Sequence, residues 1–182
     1  MVAGEPDSDE ALVAALRGGE LAAFDVLYQR YAARLFGYVR RMVDDDATAE
    51  DLLQDIILSV LQPGGFDASR GRFGAWLFAV ARNRCLDLRR AAARGAARAP
   101  MLAASHEDAH APDEHRRNAV RNAIASLPEA QQQLLLLKQV GGLTYREIAA
   151  VHGIPEGTVK SRLHAAVEAF RRALAQIGEE TT

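Results

Sequence analysis

Apolar positions along the chain recur at intervals of three and four, the spacing of one face of a helix. The pattern begins near Glu10 with Val13, Leu16 and Leu21, after a polar stretch over residues 1–9. It continues through Phe24, Leu27, Tyr28, Tyr31, Leu35, Tyr38 and Met42, which predicts one longer helix. Gly37 within it costs about 1 kcal/mol relative to alanine. Asp44, Asp45 and Asp46 interrupt the pattern and offer caps for a helix over roughly 47–62. Leu52, Leu53, Ile56, Ile57 and Val60 make the buried face of that helix. Pro63, Gly64 and Gly65 close it, and residues 66–72, FDASRGR, read as a loop. The next helix has Phe73, Trp76, Leu77 and Val80 on its inner face, and continuing that wheel places Arg84 and Asp87 there too. Buried charges must be compensated, so these two pair with each other or the helix bends.

Periodicity lapses over 93–115, which is rich in Ala, Arg, Pro and Asp and reads as a linker. A helix resumes near Arg116 and runs to Ser126, and Pro128 starts another through Val140, closed by Gly141 and Gly142. The stretch 142–163, GLTYREIAAVHGIPEGTVKSRL, then carries the sharpest local signals in the chain. Thr144 and Glu147 have the spacing of a capping box, and Leu143 and Ile148 that of a hydrophobic staple. Gly153 suits a left-handed C-terminal cap, and Pro155 the start of a following helix. Two helices about a glycine turn make a helix-turn-helix. The second helix buries Val159, Leu163, Ala166, Val167, Phe170 and Leu174 and presents Gly157, Ser161, His164, Ala165 and Glu168, with Thr158, Lys160 and Arg162 on its edges. Small, hydrogen-bonding and basic side chains at the start of such a helix suit a DNA major groove.

Composition changes this picture little. The 182 residues are rich in Ala and Leu, which supports an all-α fold of one or two small domains. No apolar run spans a bilayer, and the acidic N-terminus is unlike a signal peptide, so a cytoplasmic protein without membrane insertion is expected. Cys85 is the single cysteine, which rules out an internal disulfide. His106, His110 and His115 lack the further ligands of a metal site, and no cofactor is expected. Charge matters more through its distribution. The net charge is −2, but residues 1–62 carry −7 and residues 63–99 carry +6. An acidic block beside a basic one points to two partners of different charge.

Two surfaces stay ambiguous on physics alone. The face opposite the core on the helix over 47–62 carries Asp51, Gln54, Asp55, Leu58 and Gln62, and both a solvated face and a docking surface fit. The basic loop and helix with Phe73 and Trp76 could stack on single-stranded nucleic acid, although core positions are the simpler account of both aromatics.

Five strings bear on the reading, the last two of them on these surfaces. LPEAQQQLLLL, LTYREIA and GTVKSRL together resemble the promoter-reading C-terminal region of bacterial sigma factors, most of all the extracytoplasmic-function (ECF) class. AEDLLQDI resembles the sigma segment that grips the clamp helices of the largest polymerase subunit. The pattern W-L-x-x-V-A-R-N-x-x-L-D-x-R-R resembles the segment that opens the promoter and captures a minus-10 base. The resemblance covers residues from about 10 to 92 and from about 118 to 175, in the family's order.

The resemblance implies two helical domains joined by a flexible linker: 10–92, linker 93–115, and 116–178 with the helix-turn-helix. It implies core-polymerase binding by Asp51, Gln54, Asp55 and Leu58. For minus-10 DNA it implies Asp67, Ser69, Arg70, Arg72, Trp76 and Asn83. For minus-35 DNA it implies Lys138, Thr158, Lys160, Ser161, Arg162 and His164. The implied partners are the clamp helices and flap of core RNA polymerase, promoter DNA and an anti-sigma factor, with the free chain a monomer. One departure stands out. Ala165 and Ala166 occupy positions that are basic in many ECF factors, so the recognition helix is less basic than usual. A stand-alone helix-turn-helix regulator is the main rival. An enzyme lacks a nucleophile–base set or phosphate-cradling loop here, and a structural adaptor leaves the arginine block unexplained.

Overall fold

The computed structural model describes residues 8–43, 45–62, 64–96 and 112–179. Among these, α1 (Asp9–Arg17), α2 (Ala22–Met42), α3 (Asp46–Leu58) and α4 (Phe73–Ala96) form a first helical unit, with single 3₁₀ turns at Ser59–Leu61 and Ala68–Arg70. A second unit consists of α5 (Pro112–Ala125), α6 (Glu129–Gln139), α7 (Tyr145–His152) and α8 (Glu156–Glu179). No strand occurs among the described residues.

The first unit is built on α2, which packs against α1, α3 and α4. Its apolar stripe of Leu27, Tyr31, Leu35, Tyr38, Val39 and Met42 is buried, as the periodicity predicts. Aromatic edges lock α2 to α4: Tyr31 meets Phe73 edge-on at 5.3 Å and Tyr38 meets Phe78 at 5.7 Å. Gly74 makes the first of these approaches possible, since a Cβ there would lie 2.8 Å from the Tyr31 hydroxyl.

Polar groups of α1 fix the loop and the start of α4. Glu10 Oε1 accepts a hydrogen bond from the Phe73 backbone N–H at 3.0 Å, one of the donors that a helix start leaves free. Arg17 donates to the Phe66 carbonyl, and Asp9 holds both Arg30 and the Tyr31 hydroxyl. Burial and the Asp9 carboxylate push the Tyr31 hydroxyl pKa well above its ordinary value.

The inner face of α4 departs from the predicted wheel. Phe73, Leu77, Phe78, Ala81, Cys85 and Leu86 are buried, while Trp76 and Val80 are half-buried. Arg84 and Asp87 are exposed, and Asp87 pairs with Arg90 at 3.3 Å. The expected Arg84–Asp87 pair does not form and the helix needs no bend. Anchoring the wheel on Phe78 and Cys85 rotates both charges to the surface.

The second unit wraps α8 with α5, α6 and α7. Leu134, Leu136, Leu137, Ile148, Val159, Leu163 and Ala166 form its interior. The buried Gln132 staples the α5–α6 turn by donating to the carbonyls of Ala125 and Leu127 at 3.0 and 2.9 Å. His106 and His110 lie outside the described residues, as do Asp44, Pro63 and Arg98.

The two units meet along a seam in which α4 packs on α7. Arg34 of α2 lies over the Tyr31 and Phe78 rings, each centroid 5.6 Å away, and donates to the carbonyls of Val140 and Gly141. These carbonyls follow the end of α6, where the helix dipole favours a cation. Gly142, at φ 63°, leaves room for the guanidinium, since a Cβ there would sit 2.8 Å from Arg34 Nη2.

Candidate functional site

The α3 face comes first. Asp45 caps α3 by accepting from Thr48 N at 2.7 Å, which sets the register of the helix. Ala49, Leu52, Ile56 and Ile57 then point inward, so Asp51, Gln54, Asp55 and Leu58 line up outside. Leu58 keeps 52 % of its surface exposed. Sequence reasoning missed Leu61, which is 50 % exposed. The expected helix over 47–62 tightens to a 3₁₀ turn over Ser59–Leu61, and Leu61 stands three residues beyond Leu58, exposed like it. Neither Asp51 nor Asp55 has an ion-pair partner among the described residues.

The second surface is the loop before α4. Asp67 accepts from Ser69 N at 2.9 Å and from Ser69 Oγ at 2.7 Å, folding the loop into a tight turn. The Ser69 hydrogen bonds hold the Asp67 carboxyl below its ordinary range. Arg70 and Arg72 are exposed around this turn. Phe73 is core, at 1 % exposure. Trp76 is half-buried, tilted against Phe66 at 5.7 Å and Phe73 at 5.8 Å, with its remaining surface in a cleft. That cleft holds about 1370 Å³ and brings Asp67, Arg70, Arg72 and Trp76 together with Thr144, Arg146 and Glu147 of the second unit. Arg72 Nη1 lies 3.6 Å from Glu147 Oε1 across it.

Asn83 is exposed and outside the cleft, two turns beyond Trp76 on the same stripe of α4, with its Oδ1 accepting from Arg82 at 3.2 Å. The arginine edge of α4 is divided. Arg82 donates to Gln133 Oε1 at 2.8 Å and Arg89 approaches Glu129 at 3.4 Å, so both face the seam, whereas Arg94 is exposed to solvent.

The third surface is the helix-turn-helix. The capping box forms with both bonds: Glu147 N donates to Thr144 Oγ1 at 3.2 Å, and Thr144 N donates to Glu147 Oε2 at 2.8 Å. Leu143 and Ile148 are buried as the staple requires, and Gly153 adopts φ 64°, ψ 34°. On α8, Lys160, Ser161, Arg162 and His164 are exposed and Thr158 is half-buried. Ser161 Oγ donates back to the Thr158 carbonyl at 3.1 Å. Ala165 is exposed, but Ala166 is fully buried, so a basic residue at that position would enter the core.

Lys138 and Lys160 converge on Tyr145, while Arg162 stands on the opposite edge of α8 near His152. Burial and the neighbouring Arg82 and Arg162 guanidiniums push the His152 imidazole pKa down to about 4. Burial pushes the Cys85 thiol up to about 12, which leaves it a core side chain rather than a reactive one. No metal-ligating cluster occurs among the described residues, and no described helix is long and apolar enough to cross a membrane.

Residues 27–95 match the family model for Sigma-70 region 2, and residues 117–170 match the model for Sigma-70 region 4. The ECF RNA polymerase sigma factor RpoE of Cereibacter sphaeroides is 35 % identical over 89 % of this chain and 92 % of its own length. This chain belongs to the ECF class of RNA polymerase sigma factors. SigL of Mycobacterium tuberculosis, another ECF sigma factor, is 34 % identical over 92 % of this chain and 98 % of its own. In fold, the chain matches the sigma factor RpoE of Bartonella quintana, solved in complex with the anti-sigma factor NepR, at a TM-score of 0.68. That match has 22 % identity and covers 84 % of this chain and 96 % of the other. As a sigma factor the chain binds core RNA polymerase and promoter DNA and acts in transcription initiation, within a family of regulatory DNA-binding proteins.

Proposed function

We propose that the two helical units divide promoter recognition between them. Residues 10–92 dock on the clamp helices of the polymerase largest subunit through Asp51, Gln54, Asp55 and Leu58, with Leu61 extending the contact. The same unit takes the minus-10 element with Asp67, Ser69, Arg70, Arg72, Trp76 and Asn83. Residues 116–178 sit near the polymerase flap and read the minus-35 element with Lys138, Thr158, Lys160, Ser161, Arg162 and His164. Residues 93–115 join the two, with their ends taken into α4 and α5. The chain works in the cytoplasm, is a monomer when free and performs no bond chemistry of its own, which belongs to the polymerase. An anti-sigma protein holds it in reserve, by likeness to the Bartonella complex.

The observation that carries the docking assignment is the α3 face itself. Two exposed leucines flank carboxylates that no cation of the described residues neutralises. An apolar patch rimmed by charge is the form of a protein-binding surface. Replacing Asp51 and Asp55 with lysine reverses the charge at exposed positions, where stability changes by only about 0.5 kcal/mol or less. The folded double variant is expected to lose capture of core enzyme in a pull-down without DNA. Undiminished capture overturns the docking surface.

A further inference from the structure

Tyr145 is absent from every functional assignment above, yet it occupies a singular place. It is the first residue of α7, directly after the Thr144 cap, and keeps 39 % of its surface exposed. The Lys138 ammonium, from the end of α6, lies 4.8 Å from its ring centroid. The Lys160 ammonium, from the second turn of α8, lies 5.8 Å from the same centroid. Both are within the reach of a cation–π attraction. One ring thus gathers cations from two other helices.

Two like charges drawn to one ring repel each other, so each needs a further tether. Lys138 Nζ donates to the Leu143 carbonyl at 3.2 Å, and Lys160 Nζ pairs with Glu156 Oε1 at 3.1 Å. Flexible lysines on a surface otherwise sample many rotamers, and ordering each on binding costs free energy. Here the ring and these tethers restrict both side chains before DNA arrives. The Thr144–Glu147 capping box fixes the backbone from which the ring projects.

We propose that Tyr145 is a positioning residue for duplex DNA: its ring presets the ammonium groups of Lys138 and Lys160 as a spaced cationic pair matched to the promoter backbone and groove edge. This inference rests on the assignment of Lys138 and Lys160 to the minus-35 element. The ring also makes more of the few cations on the recognition helix, where the exposed Ala165 adds none. Few charges held in place bind phosphate better than the same charges left mobile.

The test has two arms. In the free full-length chain, the Hε protons of Lys138 and Lys160 are expected to show upfield ring-current shifts. These shifts persist in Tyr145→Phe and vanish in Tyr145→Leu. In the second arm, holoenzyme binding to promoter DNA is measured for Tyr145→Phe, Tyr145→Leu, Lys138→Ala/Lys160→Ala and the triple variant carrying leucine. Tyr145→Leu is expected to weaken binding several-fold, roughly threefold or more as for an exposed cation–π pair. Tyr145→Phe retains wild-type affinity, and the leucine effect disappears once both lysines are gone. Unshifted lysine protons in the wild-type chain overturn the proposal. So does a leucine variant with full affinity, or one that loses equally in the lysine-free background. If the lysine variant itself binds normally, the minus-35 assignment of those lysines falls, and the proposal falls with it for that separate reason.

Discussion

Asn83 has a side chain that both donates and accepts, the combination needed to hold the edge of an unpaired base. In the structure it is exposed on the stripe that starts at Trp76, roughly 10 Å further along α4. Its hydrogen bond from Arg82 is at the surface and readily exchanged. Asn83→Ala is therefore expected to leave core binding and thermal stability within about 0.5 kcal/mol of wild type. Promoter opening is expected to slow, seen as weaker permanganate reactivity of the minus-10 thymines. Normal reactivity would reduce Asn83 to a surface residue. Individual positions differed in how far the sequence revealed them. Asp51, Asp55 and Leu58 were legible because one helical wheel decides their face. Leu61, three residues after Leu58 and seven after Gln54, falls on the same face of that wheel, and its exposure was open to the same reading. Tyr145 was invisible because its meaning lies in lysines of the two neighbouring helices, which only the packing of the motif brings to its ring.

At the scale of an element, the helix-turn-helix was the most legible part of the chain. Its signals are local: a cap, a staple and a glycine, each acting within a few residues. Gly153 shows how much rests on one of them. It sits at φ 64° with open space where a Cβ would go, so nothing but backbone conformation demands glycine. Gly153→Ala is expected to destabilise the chain by about 1–2 kcal/mol, the cost of a left-handed non-glycine residue. A urea melt should show a lower midpoint with an unchanged slope. An unchanged midpoint would mean that the turn relaxes without penalty. The α4 wheel was less legible for the opposite reason. Phe78 and Cys85 are buried by α2 and the seam, and only tertiary packing reveals that they, rather than Trp76 and Val80, define the inner face.

For the molecule as a whole, the sequence separated two helical units and said nothing of how they lie together. The balances of −7 and +6 in adjoining blocks marked different partners. They did not show that arginines of α4 turn toward α6, or that Arg34 crosses to the α6–α7 turn. Such contacts join residues forty or more positions apart, and no local pattern encodes them.

The Arg34 bridge has a consequence for equilibrium. The surface assigned to minus-10 DNA faces a cleft whose other wall is α7, with Arg72 and Glu147 3.6 Å apart, while the α8 residues assigned to minus-35 DNA lie outside it. Elements about 25 base pairs apart on a duplex are separated by roughly 85 Å, at about 3.4 Å per base pair. With the two elements assigned as proposed, a molecule held closed along the seam reaches both only by parting, so the parted form is the competent one. Apparent affinity for the promoter complex then equals the intrinsic affinity scaled by the parted fraction. Arg34→Ala removes a charge-assisted bond from the closed form alone, worth about 1–2 kcal/mol at a partly exposed site. Holoenzyme assembly on promoter DNA should tighten by roughly five- to thirtyfold, with the exposed α3 and α8 faces untouched. A titration with no change would mean that the parted form already predominates.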